Sequence, residues 1–319
     1  MTDRFRLDGR GVEVVGAGSG IGEAVARACA QQGARVACLD VRGDEGARVA
    51  GVITSGGGVA HALAVDIVEG AAVRAALEAA RDRLGRLDAV VCTPSINVRK
   101  PILAYSEDEL DRVVRVNVKG NFNVLQAAGR ILTAQRSGSI VLFSSIRSQV
   151  VEPGQAVYAA TKAAIVQMAR TAAAEFAPHG VRVNAVGPGV VETPLTAPIK
   201  ANAEWYGAYA AKSALQRWAT PDEMAWPTVF LLSDAASYIT GTVLFVDGGF
   251  AENERAVELN PTLASAFCGL GDSLCYEGRY DEAIDHFTRS VELGAHDPQR
   301  WAFLSYGALA LVFAGRFEE

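Results

Sequence analysis

The feature that most constrains this sequence is a run of glycines directly after a short apolar segment near the N-terminus. Residues 11 to 22 read Gly-Val-Glu-Val-Val-Gly-Ala-Gly-Ser-Gly-Ile-Gly, and a helix-like stretch follows. Because glycine has no Cβ atom, the backbone at Gly16, Gly18, Gly20 and Gly22 can approach a diphosphate at the positively polarised N-terminus of the helix. The run therefore predicts a strand, a phosphate-binding turn and a helix.

The segment after this helix predicts a second strand, Arg35 to Leu39, which ends in a carboxylate. Asp40 follows 18 residues after Gly22. In dinucleotide-binding folds, an acidic residue at this strand end accepts hydrogen bonds from ribose hydroxyls. The glycine turn and the strand-end carboxylate together predict a nucleotide-binding α/β fold.

Helices and strands continue to alternate after Asp40. The pattern predicts a helix over Asp44 to Ser55, a strand over Val59 to Val65, a helix over Ala71 to Leu84 and a strand over Asp88 to Thr93. Such alternation is typical of a parallel sheet covered by helices on both faces. Right-handed crossovers and a glycine turn after the first strand favour the doubly wound order.

A second motif lies in the middle of the chain, where Tyr158 precedes Lys162 by four residues. The run from Ala156 to Phe176 is rich in alanine and lacks proline and glycine, so we expect a helix. Residues i and i+4 share one helix face, which places the ammonium beside the phenol and favours the phenolate. Ser145 follows a strand-like run and offers a hydroxyl for a substrate oxygen. An ordinary surface helix with a tyrosine and a lysine would show the same spacing.

The two motifs together resemble the short-chain dehydrogenase/reductase family, and the resemblance extends over residues 5 to 249. It implies a Rossmann doubly wound sheet and hydride transfer between a nicotinamide cofactor and a secondary alcohol or ketone. In the family pattern, Tyr158 exchanges the proton on oxygen, while Lys162 lowers the pKa of Tyr158 and binds the nicotinamide ribose. Ser145 orients the substrate oxygen. Asn117 corresponds to an asparagine that completes the proton relay through a water, although a residue satisfying a nearby backbone group would look the same.

The resemblance also implies a cofactor site at the strand ends and the first helix N-terminus. Asp40 favours NAD over NADP because its charge repels a 2′-phosphate, although Arg42 nearby could partly accept NADP. Asp66 and Ile67 would flank the adenine, and for this pair a strand-ending aspartate that caps the next helix is the equal alternative. The implied cofactor residues are Gly16, Gly18, Ser19, Gly20, Ile21, Gly22, Asp40, Asp66, Ile67, Tyr158, Lys162, Pro188, Gly189, Val191 and Thr193.

In two places the chain departs from the family pattern. Relatives have Asn-Asn-Ala-Gly where this sequence has Cys92-Thr93-Pro94-Ser95, and a threonine where it has Val15. In relatives that threonine hydrogen-bonds the Asn-Ala-Gly turn, so both changes fall on one contact. The sequence leaves two interpretations open: a repacked, working turn, or a weakened cofactor site.

The substrate side is less well defined by the sequence. Arg147 lies two residues after Ser145, and Arg99 with Lys100 lies on a neighbouring loop, so these cations would suit an anionic alcohol or ketone. Solvated surface arginines would give the same pattern. Residues 194 to 217 are interpreted as a substrate lid, and aromatic residues packed on a plain helix pair are the alternative.

The sequence changes character beyond residue 250. Ala256-Val-Glu-Leu recurs as Ser290-Val-Glu-Leu, a period of 34, and Gly315-Arg-Phe echoes Gly278-Arg-Tyr at 37. This spacing resembles tetratricopeptide repeats, which are helical interaction surfaces. We therefore expect a dehydrogenase domain over 1–250 and a small all-α repeat segment over 251–319 that binds a protein partner. A catalytically weak scaffold that acts through this tail is the alternative function.

Composition limits the kinds of partner that the protein can bind and its cellular location. Lysine and arginine total 30 against 36 acidic residues, without a basic stripe, which argues against nucleic acid. No apolar run is long enough to cross a bilayer. Five cysteines at irregular spacing predict reduced thiols in a cytoplasmic protein and no metal site. The family pattern further implies a homo-oligomer, either a dimer or a tetramer.

Overall fold

The computed structural model describes residues 3–251, 264–276, 278–294 and 300–316, which form two compact units. The first unit contains the described residues up to Ala197 together with Ala219–Val246. The second contains Pro198–Trp218 together with the described residues from Asp247 onward.

The first unit is built around a seven-stranded sheet in which all neighbouring strands run parallel. The strands are β1 (Gly11–Val15), β2 (Arg35–Asp40), β3 (Val59–Ala64), β4 (Ala89–Cys92), β5 (Gly138–Phe143), β6 (Val181–Pro188) and β7 (Val243–Val246). Their order in the sheet is β3-β2-β1-β4-β5-β6-β7, so the winding reverses between β1 and β4. This is the doubly wound Rossmann arrangement, and it confirms the predicted fold class.

Helices cover both faces of this sheet and enclose two apolar clusters. The helices from α1 to α9 are α1 (Gly20–Gln31), α2 (Gly43–Ser55), α3 (Gly70–Leu84), α4 (Glu107–Val114), α5 (Asn121–Gln135), α6 (Ala156–Phe176), α7 (Ala197–Lys200), α8 (Ala203–Lys212) and α9 (Pro221–Leu232). Of these, α1, α2 and α9 contribute to the cluster on one face, and α3, α5 and α6 to the cluster on the other. The helix that carries Tyr158 and Lys162, α6, has the bounds that the sequence predicts.

One residue of β1 does not suit its apolar surroundings. Glu13 is fully buried and lies in register with Ala37 and Val90 of the neighbouring strands. Neither of its carboxyl oxygens has a hydrogen-bond partner within the described part of the chain. Burial raises the pKa of Glu13 well above its usual value, against a smaller opposing effect of the charge on Arg81. The fold therefore favours the protonated carboxylic acid at this position.

The helical segment that begins after Ser106 is interrupted in its middle. Its first turn has a capping box: Ser106 Oγ accepts from Glu109 N at 3.2 Å, and Glu109 Oε2 accepts from Ser106 N at 3.0 Å. After α4, however, the chain forms one wider π-helical turn, Arg115–Gly120, before α5 begins. Such turns displace side chains from the ordinary helical register and are frequent at functional sites. Asn117 lies in this turn.

The second unit is helical. Within it, α8 packs against α10 (Ala264–Tyr276), which forms a hairpin with α11 (Tyr280–Leu293), and α12 (Arg300–Phe313) packs on α11. A helical C-terminal segment is thus confirmed. The Ala256-Val-Glu-Leu copy of the repeat lies outside the described residues. No helix in the described ranges is long and apolar enough to span a bilayer.

Phe287 is the centre of the small helical core. It is buried with Cys268, Ala283, Phe303 and Ala310. A Cβ atom on Gly271 would lie 2.9 Å from the Phe287 ring, so the glycine lets α10 approach α11 closely.

Candidate active site

A groove of about 910 Å³ runs along the carboxyl ends of β1 to β4 and past the N-terminus of α1. Ligands of open parallel sheets bind at this edge, where the winding reverses. The predicted cofactor residues that line it are Gly16, Ser19, Gly20, Ile21, Gly22, Asp40, Asp66, Ile67 and Thr193. The other predicted residues, Gly18, Tyr158, Lys162, Pro188, Gly189 and Val191, are not among those that line this groove.

The glycine turn has the shape that a diphosphate requires. Gly16 and Gly20 have φ angles of +83° and +56°, a conformation that strains residues with a Cβ atom. A Cβ on Gly22 would lie 2.0 Å from the carbonyl oxygen of Gly16. Ser19, the N-cap of α1, makes no side-chain cap. The first amide groups of the helix therefore face the groove without a capping side chain, as an anion site needs.

Asp40 is held at the end of β2 by two backbone amides. Its Oδ2 accepts from Gly18 N at 2.8 Å and its Oδ1 from Arg42 N at 2.9 Å. A Cβ on Gly18 would lie 2.7 Å from Asp40 Oδ2, so the absence of a side chain at Gly18 leaves room for this carboxylate at the groove. The Arg42 guanidinium contacts Ser19 Oγ at 3.4 Å and also lines the groove.

The remaining predicted cofactor residues lie on two loops. Asp66 accepts from Val68 N at 2.9 Å within its own turn, and the N-cap of α3 is Glu69, so Asp66 lines the groove without capping that helix. After β6, Gly189 N donates to Val246 O at 3.0 Å, and buried Val191 is bridged to Ala219.

Thr193 completes this second loop. Its side chain lies 3.5 Å from the position of a Cβ on Gly20, so the loop closes over the glycine turn. Pro188, Gly189 and Val191 therefore fix the course of the loop, whereas Thr193 reaches the groove.

The turn that departs from the family pattern is tightly packed. Thr93 Oγ1 donates to Val15 O at 3.0 Å, and Thr93 N donates to the same carbonyl at 3.1 Å. Thr93 Oγ1 would lie 2.5 Å from a Cβ on Gly16, and the Pro94 ring 3.0 Å from it. Val15 cannot supply a hydroxyl to this contact, and Thr93, on the turn after β4, supplies one instead. This geometry favours the repacked turn over the weakened site.

Three of the four predicted catalytic residues lie where β5 and α6 meet. Ser145 is buried two residues beyond the end of β5, and its Oγ accepts from Arg147 N at 3.2 Å. Lys162 is 2% exposed, and its Nζ donates to Phe143 O at 2.9 Å while lying 5.4 Å from the centre of the Tyr158 ring. Ser144 Oγ donates to Lys162 O at 2.9 Å, which ties α6 to the strand end.

Burial dominates the ionisation of both groups on α6. It raises the pKa of Tyr158, while hydrogen bonding from Ser145 and Ser95 and the charge of Arg147 oppose the rise. The direction is opposite to the one expected from the sequence, because desolvation of the phenol outweighs its polar neighbours. Burial also lowers the pKa of Lys162 from 10.5 to about 8, with a small opposing contribution from Cys92.

The Asn117 side chain connects two loops of the site. Its Oδ1 accepts from Ile96 N at 2.8 Å, its Nδ2 donates to Ile96 O at 2.9 Å, and Nδ2 also reaches Thr161 Oγ1 at 3.1 Å. Thr161 lies on α6 between Tyr158 and Lys162. The amide group is thus occupied in fixing the loop after β4 against α6, which matches the backbone-satisfying alternative.

A polar network that the sequence did not reveal adjoins this centre through Arg147, whose backbone amide donates to Ser145 Oγ. Glu152 forms ion pairs with both Arg147 and Arg99, and Gln155 links Glu152 at 2.6 Å to Asn97 at 3.0 Å. Lys100 pairs separately with Glu109 at 2.5 Å. The cations expected to bind an anionic substrate therefore each have an acidic partner. The sequence spacing of Glu152 and Gln155 carries no recognisable signal.

Across the described ranges, no three histidine, cysteine, aspartate or glutamate side chains are grouped as metal ligands.

Comparisons with known proteins agree with this geometry. A model of the family described as enoyl-(acyl carrier protein) reductase matches residues 16–251. The sequence is 36% identical over 251 residues to oxidoreductase UcpA of Escherichia coli O157:H7, which covers 76% of this chain and 95% of that protein. It is 35% identical over 250 residues to D-threitol dehydrogenase of Mycolicibacterium smegmatis, covering 77% of this chain and 94% of that one.

A solved structure gives the same result. The gluconate 5-dehydrogenase from Burkholderia cenocepacia J2315, in complex with NADP and tartrate, matches with a TM-score of 0.76 at 35% identity and covers 78% of this chain and 98% of its own. The chain belongs to the short-chain dehydrogenase/reductase family of oxidoreductases.

Proposed function

We propose that this protein is an NAD(P)-dependent oxidoreductase that interconverts a secondary alcohol and a ketone. The observation that carries the proposal is the placement of Tyr158, Ser145 and Lys162 at the carboxyl end of β5, beside a groove whose glycine turn fits a dinucleotide. The nicotinamide, when bound, supplies or accepts the hydride. The protein aligns the substrate and moves the proton.

Each side chain has a distinct role in this proposal. Tyr158 gives its hydroxyl proton to the substrate oxygen during reduction and takes it back during oxidation. Ser145 holds the same oxygen by a hydrogen bond. Lys162 supplies positive charge 5.4 Å from the Tyr158 ring and, with a pKa of about 8, is mainly protonated at neutral pH. Asn117 positions the loop after β4 against α6.

Nicotinamide absorbance tests the proposal directly. The full chain, mixed with NAD or NADP and a panel of alcohols, polyols and hydroxy acids, should reduce the cofactor with at least one member of the panel. The scaffold alternative expects neither turnover nor cofactor binding. Thermal shift with each cofactor separates these outcomes, because a cofactor that binds the folded state raises Tm even without a substrate.

For the cofactor we favour NAD(H). Asp40 lies at the groove with its carboxylate fixed by two amides, where it would accept from ribose hydroxyls and repel a 2′-phosphate. The kcat/KM with NAD should exceed that with NADP by about tenfold or more, equivalent to about 1.4 kcal/mol. Asp40→Asn keeps the shape and removes the charge, so it should shrink this preference.

Arg42 provides the control for the cofactor assignment. Arg42→Gln removes the nearby cation and should widen the preference for NAD. A wild-type preference for NADP that disappears in Arg42→Gln would refute the assignment to NAD.

The substrate class follows from the polar network next to Tyr158. Amide and carboxylate groups of Asn97, Gln155 and Glu152 suit the hydroxyls of a small polar alcohol or ketone, and the ion pairs of Glu152 with Arg147 and Arg99 add charged groups to the same network. Relatives named for threitol and gluconate are consistent with such substrates. A polyhydroxylated alcohol, neutral or anionic, is therefore the proposed substrate.

The tail is proposed to be a tetratricopeptide-like repeat segment that begins after residue 250 and binds a protein partner. Gly278 and Gly315, 37 residues apart, follow α10 and α12 and both have a φ of +75°. Apolar side chains on α12 are exposed, including Leu304, Leu309 and Phe313. Equivalent helix ends and an exposed apolar face support repeats that stack on further surface.

Removal of the tail should leave cofactor binding intact. All residues that line the groove precede Pro198, so a chain ending at Phe250 should bind NAD with the affinity of the full chain. Because α8 packs against α10, the shortened chain should also melt at a lower temperature. Isothermal titration and thermal denaturation measure the two effects.

A chain ending at Leu293 is the matched control, because it loses α12 and keeps the α10–α11 hairpin. Loss of NAD binding in the shorter chain alone would mean that the repeats belong to the structural core of the enzyme.

A homo-oligomer, dimer or tetramer, remains our proposal for the assembly. Apolar side chains are exposed along residues 102–122, including Ile102, Leu103, Leu110 and Phe122. Sedimentation equilibrium of the full chain decides the stoichiometry.

A further inference from the structure

A second cavity, of about 720 Å³, lies at the amino ends of the strands, opposite the cofactor groove. Its walls come from the first residues of β5 and β6, from the segments that precede β1, β4 and β7, and from the end of α9. Among the described residues, none lines both this space and the groove. Its volume is typical of small-molecule sites, and we call it the amino-end cavity.

Arginines outnumber acidic residues around the amino-end cavity. The charged side chains among the described residues that line it are Arg10, Arg86, Arg182, Asp88 and Asp234. One pair is complete, because Nε and Nη2 of Arg86 both donate to the Asp88 carboxylate at 2.7 Å. Asp88 Oδ2 also accepts from Gly11 N at 2.8 Å. This pair adds no net charge to the cavity.

The other two arginines converge on the carboxyl end of α9. Arg10 Nη2 pairs with Asp234 at 2.6 Å, and Arg10 Nη1 donates to Leu232 O at 3.3 Å. Arg182 Nη2 donates to Ser233 O at 3.2 Å. The two guanidinium groups thus bind three consecutive residues, which brings two like charges together at one wall of the cavity.

Arg182 has neutral partners only. Besides Ser233 O, it donates from Nη1 to Ile239 O at 3.2 Å, and it forms no ion pair with a carboxylate of the described chain. Burial and the charge of Arg10 lower the pKa of Arg182, and the attraction of Asp234 opposes them. An arginine nevertheless stays protonated in proteins, so its positive charge persists at neutral pH.

The charges at this helix end do not balance. Arg10 and Arg182 bring two positive charges and Asp234 brings one negative charge. The unsatisfied carbonyls at the end of α9 contribute about half a negative charge more. An excess of about half a positive charge therefore remains beside an open cavity, where an anion would relieve the repulsion between the two arginines.

We propose that the amino-end cavity is a second binding site, for a small metabolite that presents an oxyanion, either a carboxylate or a phosphate group, to Arg182 and Arg10. The planar guanidinium group matches such oxyanions with paired N–H donors. Ser137 and Ser237 line the same cavity and suit a polar remainder of the molecule. The site shares no lining residue with the groove, so the proposal stands apart from the hydride-transfer function.

Titration of the full chain with inorganic phosphate and, separately, with acetate tests the proposal at an ionic strength held constant with chloride. In ¹H–¹⁵N spectra, the amides of Val181 and Thr240 should shift saturably, because both residues line the cavity. Ser19 and Gly20 line the cofactor groove and report anion binding there. The anion with the lower Kd at the cavity identifies the preferred group.

Two substitutions should change this affinity in opposite directions. Arg182→Gln should raise the Kd at the cavity about tenfold or more, the loss expected for a hydrogen bond to a charged group. Asp234→Asn should lower the Kd, because it frees Arg10 for the anion. Arg136→Gln is the matched control, because Arg136 also donates to a backbone carbonyl, Pro178 O at 3.3 Å, but does not line the cavity.

Three results would overturn the proposal. The first is the absence of a saturable shift at the cavity. The second is the same Kd in the wild type and all three variants, which would indicate a general salt effect. The third is a response confined to Ser19 and Gly20, which would assign the anion to the cofactor groove. Asp234 is exposed, so a Kd for Asp234→Asn no lower than that of the wild type is decisive even if Arg182→Gln fails to fold.

Discussion

Tyr158→Phe should reduce turnover by about 10²- to 10⁴-fold, the range that positioned general acids and bases contribute. The variant keeps the ring, so the packing of the ring and the position of Lys162 on the same helix should be preserved. It removes only the oxygen that exchanges a proton with the substrate. Stopped-flow absorbance measures the loss, and calorimetric titration should show an unchanged Kd for the cofactor.

The control for this substitution is Tyr238→Phe. Tyr238 is fully exposed in the first unit, so losing its hydroxyl should change neither turnover nor affinity. If Tyr158→Phe retained most of the wild-type rate, the assignment of the proton donor would be wrong, whatever the identity of the substrate.

Lys162→Met should give a protein that is more stable and far less active. Turnover should fall by about 10²-fold or more, because the fixed charge beside the phenol is lost. Stability should rise, because the fall in the pKa of Lys162 from 10.5 to about 8 marks the cost of burying the ammonium. A shift of this size corresponds to roughly 3 kcal/mol at neutral pH.

Loss of a hydrogen bond offsets part of this gain in stability. The Lys162 Nζ bond to Phe143 O contributes about 1 kcal/mol, which leaves a net increase of roughly 2 kcal/mol in the free energy of unfolding. Chemical denaturation at pH 7 measures it. Lys119→Met, at an exposed position, should leave both stability and turnover unchanged.

The pH dependence of stability distinguishes two causes of the expected gain in Lys162→Met, which are removal of the buried ammonium and better packing of the methionine. Between pH 8 and 10.5, the unfolded chain binds more protons at Lys162 than the folded chain, so wild-type stability from this residue rises with pH. The advantage of Lys162→Met should therefore shrink across that window. A constant difference would show that methionine packs better and that the ammonium is not penalised.

The fold was predictable because its signals are local. The strands β2 and β3 and the helix α6 follow directly from apolar runs, glycines and an alanine-rich stretch. Gly16 and Gly22 were recognisable because only glycine fits their positions. These properties belong to single residues or to neighbours along the chain, so they can be read directly from the sequence.

The partners of the site side chains could not be predicted, because they depend on which loops meet. Nothing in the sequence indicates that Thr93 replaces the hydroxyl absent at Val15, or that Glu152 binds both Arg147 and Arg99. The π-helical turn that directs Asn117 toward Ile96 is also set by tertiary packing. The pKa of Tyr158 depends on a balance between burial and charge that spacing along a helix does not give.

Folding of this protein takes up a proton at the buried carboxyl of Glu13. Above its ordinary pKa of 4.5 the unfolded chain carries a carboxylate, whereas the folded chain holds the acid until a much higher pH. In that interval the contribution of Glu13 to stability declines as pH rises. The heat of unfolding should therefore vary with the ionisation enthalpy of the buffer. The cost of burying the Lys162 ammonium persists until the pH exceeds about 8, so near neutrality it adds to the cost of burying Glu13. The melting temperature should therefore be higher in mild acid than at neutral pH.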